Sequence, residues 1–308
     1  MEQIMLADND EFLHTPDASP IWQENYFFVG RDDSTDTVVY LHLERMPSRN
    51  EVEAKAFVEV AGNRCSAVVA HHGDDCFDIP GVSVAVEQPF RRWRVAVNLA
   101  GEDDGPGGWA AERTDGPTRF GFDLEVTSTL APTDWGPAAA ALGRPDVILD
   151  HYEVPCVWSG TVWCGDSQVS ATGLLVRDHS WGPRDLATFD LAFWTPMVFA
   201  DATMFISAVT MLVGGRHVGF TFIDTGSGAV LFEQPWVRVA GFPERRGYGS
   251  ASWRCLGADR EERVEIDVAS HVPVRYPRMG DGHYFNDALG VATWGAHQGL
   301  GIIELNRH

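Results

Sequence analysis

The sequence predicts an all-β protein built from two antiparallel β domains. Three observations support this fold class: hydrophobic residues alternate with polar ones along many short segments, turn sequences separate these segments, and only one internal segment has helical character. A chain of 308 residues has the length of about two domains, and 44% hydrophobic residues can form a sizeable core.

Alternation with a period of two is typical of half-buried antiparallel strands. It is clearest over residues 52–60, 93–99, 120–126 and 263–268. The same pattern, or a short apolar run between turns, predicts further strands over 37–45, 66–70, 82–86, 152–164, 168–176, 204–213, 217–223, 229–240 and 291–305. Barrels of about eight such strands leave room for one small ligand.

One segment between the strand-rich halves has the features of a short helix. Asp134 can cap its first turn, Pro137 follows early, and an alanine run ends before Gly143. Because strands are predicted in similar number on both sides, we expect two domains, 1–140 and 141–308.

Composition excludes several classes of function. A net charge of −21 argues against a nucleic-acid partner, which requires a basic surface. The single lysine, Lys55, lies in a strand-like run, so neither a P-loop nor a pyridoxal phosphate site is expected. His71 and His72 beside Asp74 and Asp75 fit no standard ligand spacing and predict a solvated loop, so no metal and no cofactor are expected.

The sequence also predicts a cytoplasmic protein without stable membrane insertion. Its N-terminus has no secretory signal, and no apolar stretch is long enough to span a bilayer. The five cysteines form no CxxC pair, and we interpret them as unpaired buried side chains in a reducing compartment.

The densest group of polar residues follows a predicted strand, where Arg177, Asp178 and His179 precede Trp181 and Arg184. One interpretation is structural: the arginines and acids form an ion-pair network that braces a Gly-Pro turn, with Trp181 in the core. The other is a site at the rim or in the interior of a barrel.

This group resembles a family signature. The string Gly173-x-x-x-Arg177-Asp178-His179-Ser180-Trp181-Gly182-x-Arg184 is similar to that of the carotenoid 1,2-hydratase-like (hydroxyneurosporene synthase, AttH-like) superfamily. Trp22-x-Glu24-Asn25-Tyr26-Phe27-Phe28 and Gly299-x-Gly301-x-x-Glu304 resemble its first and last strands. The superfamily includes kievitone hydratase-like enzymes and lipocalin-like Diels–Alderases. The resemblance implies two tandem lipocalin-like β-barrel or sandwich domains.

The resemblance also implies a cofactor-independent hydratase, isomerase or cyclase acting on a hydrophobic small molecule such as an isoprenoid, steroid or polyketide. A buried carboxyl group can act as the acid, aromatic faces can stabilise a cation, and a histidine can hold water. The predicted catalytic residues are Asp178, His179, Trp181 and Asp190, with Asp178 and Asp190 as alternative acids. The predicted substrate-binding residues are Arg177, Arg184, Trp194, Phe193, Trp22 and Tyr26.

Two alternatives stay open at this point. Without a proton donor, the same pocket would fold a polyene for a pericyclic reaction, as a Diels–Alderase does. Lipocalin-like barrels also serve as carriers that only hold a hydrophobic ligand. The sequence does not fix the oligomeric state, and a homodimer is among the options.

Overall fold

The computed structural model describes residues 6–103, 117–142, 150–184, 190–233, 235–240, 249–256, 261–272 and 284–307. The chain divides into two compact units, Met1–Asp185 and Leu186–His308. Each unit contains one antiparallel sheet, which confirms the predicted all-β, two-domain lipocalin-like fold class.

The first unit consists of one eleven-stranded sheet and three short helices. The helices are two 3₁₀ turns, Asp8–Glu11 and Pro47–Arg49, and α1, Gly136–Leu142, which confirms the predicted helical segment. The strands are β1 (Trp22–Asp32), β2 (Thr37–Met46), β3 (Glu51–Val60), β4 (Asn63–His72), β5 (Asp78–Ile79), β6 (Val82–Gln88), β7 (Arg92–Asp103), β8 (Thr118–Thr127), β9 (Thr133–Asp134), β10 (Asp150–Cys164) and β11 (Ser167–Pro183).

Pairing between β4 and β7 closes this sheet into a barrel. The closed path β4-β3-β2-β1-β11-β10-β8-β7 contains eight strands, a number at which side chains fill the interior. Its core includes Tyr26, Phe28, Trp93 and Tyr152. A disulfide joins Cys65 on β4 to Cys164 on β10.

The disulfide corrects the prediction of five unpaired cysteines. Cys65 and Cys164 are 99 positions apart in sequence, so only the closure of the barrel brings them together. The remaining cysteines, Cys76, Cys156 and Cys255, are buried and form no disulfide within the described residues, as predicted.

The division between the units lies at Asp185/Leu186 and not at the predicted 140/141. Strands β10 and β11 follow the helix in sequence, yet they pair with β8 and β1 of the first barrel. Helix α1 therefore lies within the first unit and does not separate the two units, because the β10–β11 hairpin that follows it completes the first barrel.

A close backbone approach fixes the pairing of β11 with β1. A Cβ at Gly173 would lie 2.1 Å from the carbonyl oxygen of Arg31, so only glycine fits there without a shift of backbone. This glycine opens the segment that carries Arg177 to Arg184.

The second unit contains a ten-stranded antiparallel sheet in the order β16-β15-β14-β12-β21-β20-β19-β18-β17, with β13 beside β14 and β21. Its core includes Phe193, Met197, Trp253 and Ile303. The strands are β12 (Leu191–Trp194), β13 (Met197–Phe199), β14 (Met204–Val213), β15 (Arg216–Asp224), β16 (Val230–Glu233), β17 (Trp236–Ala240), β18 (Ser250–Leu256), β19 (Glu261–Val272), β20 (Tyr284–Trp294) and β21 (His297–Arg307).

Two of the predicted strands are each divided in the structure. The segment predicted over 229–240 forms β16 and β17, and the segment over 291–305 contains the turn between β20 and β21. Among the described residues, none of the helices combines the length and apolar character that a membrane-spanning helix requires.

Candidate functional site

Strand β11 continues through the segment that resembles the family signature. The predicted strand ends at residue 176, but the observed strand runs to Pro183 and pairs with β1 and β10 along this length. Because neighbouring side chains of a strand point to opposite faces, Arg177, His179 and Trp181 lie on the inner face of the barrel. Asp178 and Ser180 lie on its outer face, so the signature divides into two clusters.

The first cluster, which we call the Glu24 cluster, consists of Glu24, His14 and His179. Glu24 comes from β1, His179 from β11, and His14 from the N-terminal segment. The Oε1 atom of Glu24 lies 2.8 Å from His14 Nδ1 and 3.1 Å from His179 Nε2. Glu24 and His179 are completely buried, and His14 is partly exposed.

Further hydrogen bonds surround the Glu24 cluster. The Tyr26 hydroxyl donates to Glu24 Oε1 over 3.2 Å, and Arg45 donates to Glu24 Oε2 over 2.9 Å. His179 Nδ1 lies 3.1 Å from the Tyr152 hydroxyl, which donates to the carbonyl oxygen of residue 10 over 3.2 Å. The rings stack as well: Tyr26 lies over His179, and Trp181 lies over His14, with centroids 3.9 and 3.8 Å apart.

Burial and hydrogen bonding set the charge states of this cluster. Burial alone raises the pKa of Glu24, but the contacts with the His14 and His179 imidazoles and with the backbone N–H of His14 lower it more, so the carboxyl group stays ionised. Burial lowers the pKa of His179 to about 3, against the opposite effect of its bond to Glu24. At neutral pH, therefore, the cluster holds an anionic carboxylate beside an uncharged imidazole.

Arg177 lies deeper in the barrel, in a cage of aromatic rings. Its guanidinium carbon is 5.0 Å from the centroid of Tyr26 and 5.1 Å from that of Tyr152. Its anionic partner is Glu11, which is buried and also accepts a 2.8 Å hydrogen bond from Trp93 Nε1. The N-terminal 3₁₀ turn thus inserts a carboxylate into the barrel interior.

The second cluster, which we call the His151 pair, lies on the outer face and consists of His151 and Asp178. His151 Nε2 contacts Asp178 Oδ2, and Glu153 lies 3.9 Å from the same nitrogen. Trp135 stacks on the imidazole with centroids 3.6 Å apart. The Asp178 side chain is 5% exposed and that of His151 is 12% exposed, so the histidine is the more accessible member.

Other polar groups occupy the same outer face. Arg184 donates to Ser180 Oγ over 2.7 Å, and His42 Nε2 lies 2.9 Å from Asn25 Oδ1. Lys55, on β3, is 1% exposed and forms ion pairs with Glu44 and Glu53. The outer face near β11 is therefore buried and polar.

The structure separates several residues that the sequence analysis had grouped. Asp178 and His179 lie on opposite faces of the sheet and so cannot contact one substrate group together. The predicted network of Arg177, Asp178 and Arg184 is also absent from the described residues, because each of the three has a different partner. Residue 185, the fourth member, lies outside the described residues.

The remaining predicted site residues have varied surroundings. Asp190 is exposed and precedes β12, so it lacks the burial that would keep a carboxyl group protonated. Trp194 and Phe193 are buried on β12, and Phe193 belongs to the core of the second unit. Trp22 is buried in the first unit, with the Arg45 guanidinium 5.6 Å from its ring.

Sequence reasoning missed the groups that complete both clusters. Glu24 is included in the sequence analysis only through the resemblance of the first strand. Four further members are not identified there, and these are His14, Glu11, Tyr152 and His151. Glu24 and Glu11 are 155 and 166 positions from their partners on β11, whereas Tyr152 and His151 are 27 positions from theirs, on the neighbouring strand of the hairpin. The available signal was a charged residue on the same strand face as two aromatic residues, as Glu24 is with Trp22 and Tyr26.

The fold places the protein in the class of two-domain lipocalin-like β proteins. A family model described as a domain of unknown function, DUF7064, matches residues 7–308, and the chain belongs to this family. No curated protein sequence matches the chain.

Solved structures with the same fold include three informative relatives. An AttH-like protein, NE1406 from Nitrosomonas europaea, aligns with a TM-score of 0.62 at 13% identity, covering 94% of each chain. Kievitone hydratase from Nectria haematococca has a TM-score of 0.58 at 10% identity, covering 98% of this chain and 93% of that one. CghA in complex with Sch210972 has a TM-score of 0.57 at 10% identity, covering 94% and 89%. They have the fold that the resemblance to the AttH-like superfamily implies, and at these identities the likeness shows the fold alone.

Proposed function

We propose that the protein is an enzyme that transfers protons to and from a hydrophobic small molecule, and so hydrates, isomerises or cyclises it. The observation that carries this proposal is the His151 pair, a partly accessible imidazole whose Nε2 is held by a buried carboxylate. The name of one solved structure with the same fold, kievitone hydratase, supports this reaction class.

The pair has the parts that general acid–base catalysis needs. Asp178 fixes the ring of His151 and stabilises the imidazolium form when the ring takes up a proton. Among the described residues, no hydrogen bond engages Nδ1 of His151, so this atom is the one that can exchange a proton with a substrate. His151 is thus proposed as the catalytic residue and Asp178 as its positioning residue.

This assignment changes the roles expected from the sequence. Asp178 keeps a part in the chemistry, but as the partner of an imidazole and not as the direct proton donor. His179 and Trp181 lie on the inner face, where His179 belongs to the Glu24 cluster and Trp181 stacks on His14. Trp135 replaces Trp181 as the aromatic ring next to the proposed catalytic group.

The strength of the acid limits the substrates. An imidazolium ion is too weak to protonate an isolated alkene at a useful rate. It can transfer protons to and from a carbon conjugated with a carbonyl group, because the carbonyl group delocalises the negative charge of the enolate that forms. We therefore infer that the substrate is a hydrophobic molecule whose double bond is conjugated with a carbonyl group.

The test is a labelling experiment with a panel of hydrophobic enones, including a chalcone and a steroid enone, in D₂O and in H₂¹⁸O. Deuterium uptake reports proton transfer to carbon, and ¹⁸O uptake reports addition of water. We expect His151→Gln and Asp178→Asn to lower label uptake by about 10²–10⁴-fold. His71→Gln, which changes an exposed histidine on β4, should have no effect.

Two outcomes would contradict the proposal. Equal label uptake by the wild type and His151→Gln would show that the imidazole does not transfer the proton. Tight binding of the enones without any label uptake would support the carrier function.

A further inference from the structure

The Glu24 cluster has more donors on one oxygen than that oxygen can accommodate. Oε1 of Glu24 lies within hydrogen-bond distance of the backbone N of His14 (3.0 Å), His14 Nδ1 (2.8 Å), the Tyr26 hydroxyl (3.2 Å) and His179 Nε2 (3.1 Å). A carboxylate oxygen has two lone pairs. The backbone N–H of His14 also lies 3.3 Å from Oε2 and is shared between the two oxygens. The Tyr26 hydroxyl and the two imidazole nitrogens still outnumber the lone pairs of Oε1, and the imidazole contacts are the ones that a bound ion can explain.

The proton positions point in the same direction. The single hydroxyl proton of Tyr152 is donated to the carbonyl oxygen of residue 10, so the same hydroxyl can only accept from His179 Nδ1. Nδ1 of His179 then carries the ring proton, and the lone pair of Nε2 faces the carboxylate of Glu24. Two lone pairs 3.1 Å apart require a cation between them.

We propose that His14 Nδ1, His179 Nε2 and Glu24 Oε1 bind a divalent transition-metal ion of the Zn²⁺ or Fe²⁺ class. The three atoms lie within 4.8 Å of one another. Ligands at the usual bond lengths of such an ion are about 3.3 Å apart, close to the two observed distances from Oε1. Two imidazoles with one carboxylate suit Zn²⁺ and Fe²⁺, whereas Mg²⁺ and Ca²⁺ prefer ligand sets made of oxygen atoms.

A second set of residues holds the ligands in position, as is usual around protein-bound metals. The Nε2 atom of His14 lies 3.5 Å from Asp10 Oδ1. The Tyr152 hydroxyl contacts the Nδ1 atom of His179, and Arg45 binds Oε2 of Glu24. Glu24 and His179 are thus held through the atom that does not face the proposed ion, whereas His14 Nε2 forms no hydrogen bond within the described residues. The positive charge of Arg45 is offset by its second ion pair, 2.7 Å long, with Asp74.

The proposed site goes beyond the proposed function, because it lies on the inner face of the barrel, whereas the His151 pair lies on the outer face. Its ligands come from the N-terminal segment, β1 and β11. A bound ion would therefore fix the N-terminal segment to the barrel. Three protein ligands also leave a coordination position for water or a small anion.

The experiment uses the full chain without an affinity tag. Metal content is measured after purification by elemental mass spectrometry, and the metal-free protein is then titrated with Co²⁺ and followed by visible d–d absorption. We expect one ion per chain, an absorption that Zn²⁺ abolishes by displacement, and slower amide exchange over residues 6–14 in the loaded protein.

Variants locate the site. His14→Gln should weaken Co²⁺ binding by at least about tenfold, and His71→Gln, at an exposed histidine, should leave it unchanged. His14 is partly exposed and outside the sheet, so this variant should fold; if it does not, the wild-type titration still decides. Absence of d–d absorption in the wild type would overturn the proposal and leave a proton as the cation between Glu24 and His179. Equal Co²⁺ binding by His14→Gln and His71→Gln would show that the ion binds at another site.

Discussion

Removing the carboxylate of Glu11 tests how the N-terminal segment contributes to the first barrel. Glu11 is completely buried and is the anionic partner of Arg177, whose side chain is 1% exposed. Among the described residues, neither Nε nor Nη1 of Arg177 has a hydrogen-bond partner. Burial lowers the pKa of Arg177, and the attraction of Glu11 raises it. Glu11→Ala removes that attraction, but an arginine side chain is such a weak acid that the guanidinium stays charged in the variant.

The cost of this substitution follows from the contacts that it leaves unpaired. A buried charge whose partner is removed costs about 3–5 kcal/mol of unfolding free energy. Trp93 Nε1 and the Phe90 amide also lose their acceptor. Arg177→Met should cost less, because Glu11 then keeps both of these donors. The double variant Glu11→Met/Arg177→Met should cost less than the sum of the single changes, since no unpaired charge remains.

The assay is chemical denaturation followed by tryptophan fluorescence, with amide exchange of β1 and β11 to assign the change to the first unit. Asp8→Ala is the matched control, because it removes an exposed acid from the same 3₁₀ turn and should change stability by less than about 0.5 kcal/mol. A loss in Glu11→Ala as small as that of the control would refute the reasoning.

Three further outcomes follow from the fold. Gly173→Ala should cost about 1–3 kcal/mol in denaturation experiments, because its Cβ would lie 2.1 Å from a carbonyl oxygen, whereas Gly249→Ala has no neighbour within 4 Å and should be nearly neutral. Thiol titration of the unfolded, unreduced chain should find three thiols, and reduction of the Cys65–Cys164 disulfide should raise this number to five. Reduction should also lower the free energy of unfolding by about 4–5 kcal/mol. Five thiols before reduction would exclude the disulfide. Burial holds the pKa of His42 well below 6.5, so the unfolded chain binds the extra proton and stability declines as the pH falls below 6.5. His42→Gln should make this decline less steep by up to about 1.4 kcal/mol per pH unit, measured by urea unfolding between about pH 7 and about pH 5, and an unchanged slope would contradict it.

Much of the secondary structure could be predicted from local pattern. The strands over 52–60, 93–99 and 120–126 alternate in sequence and are β3, β7 and β8 in the structure. Such alternation records which face of a strand is buried, so it identifies strands without knowledge of their partners. Pairing is not local, and for this reason the strands after the helix were assigned to the wrong unit.

The candidate site was predicted less completely than the strands, because the predicted end of β11 lies before its observed end at Pro183. The polar residues from Arg177 onward suggested a loop after residue 176, where neighbouring side chains can converge. In the structure β11 continues, and its pleat sends His179 inward and Asp178 outward. A run of polar residues usually indicates the end of a buried strand, because strand interiors are mostly apolar. Strand β11 does not follow this rule, since it carries buried ion pairs.

By itself, the sequence determined the fold class, the exclusion of lysine-dependent cofactor chemistry and the importance of the segment from Arg177 to Arg184. Only the tertiary structure decided which residues that segment meets. Closure of the barrel brings Glu11, His14 and Glu24 to the inner face of β11, and the β10 hairpin brings His151 to its outer face. The physical reason is that periodicity fixes the direction of a side chain relative to its own strand, while its neighbours depend on strand pairing between residues far apart in the chain.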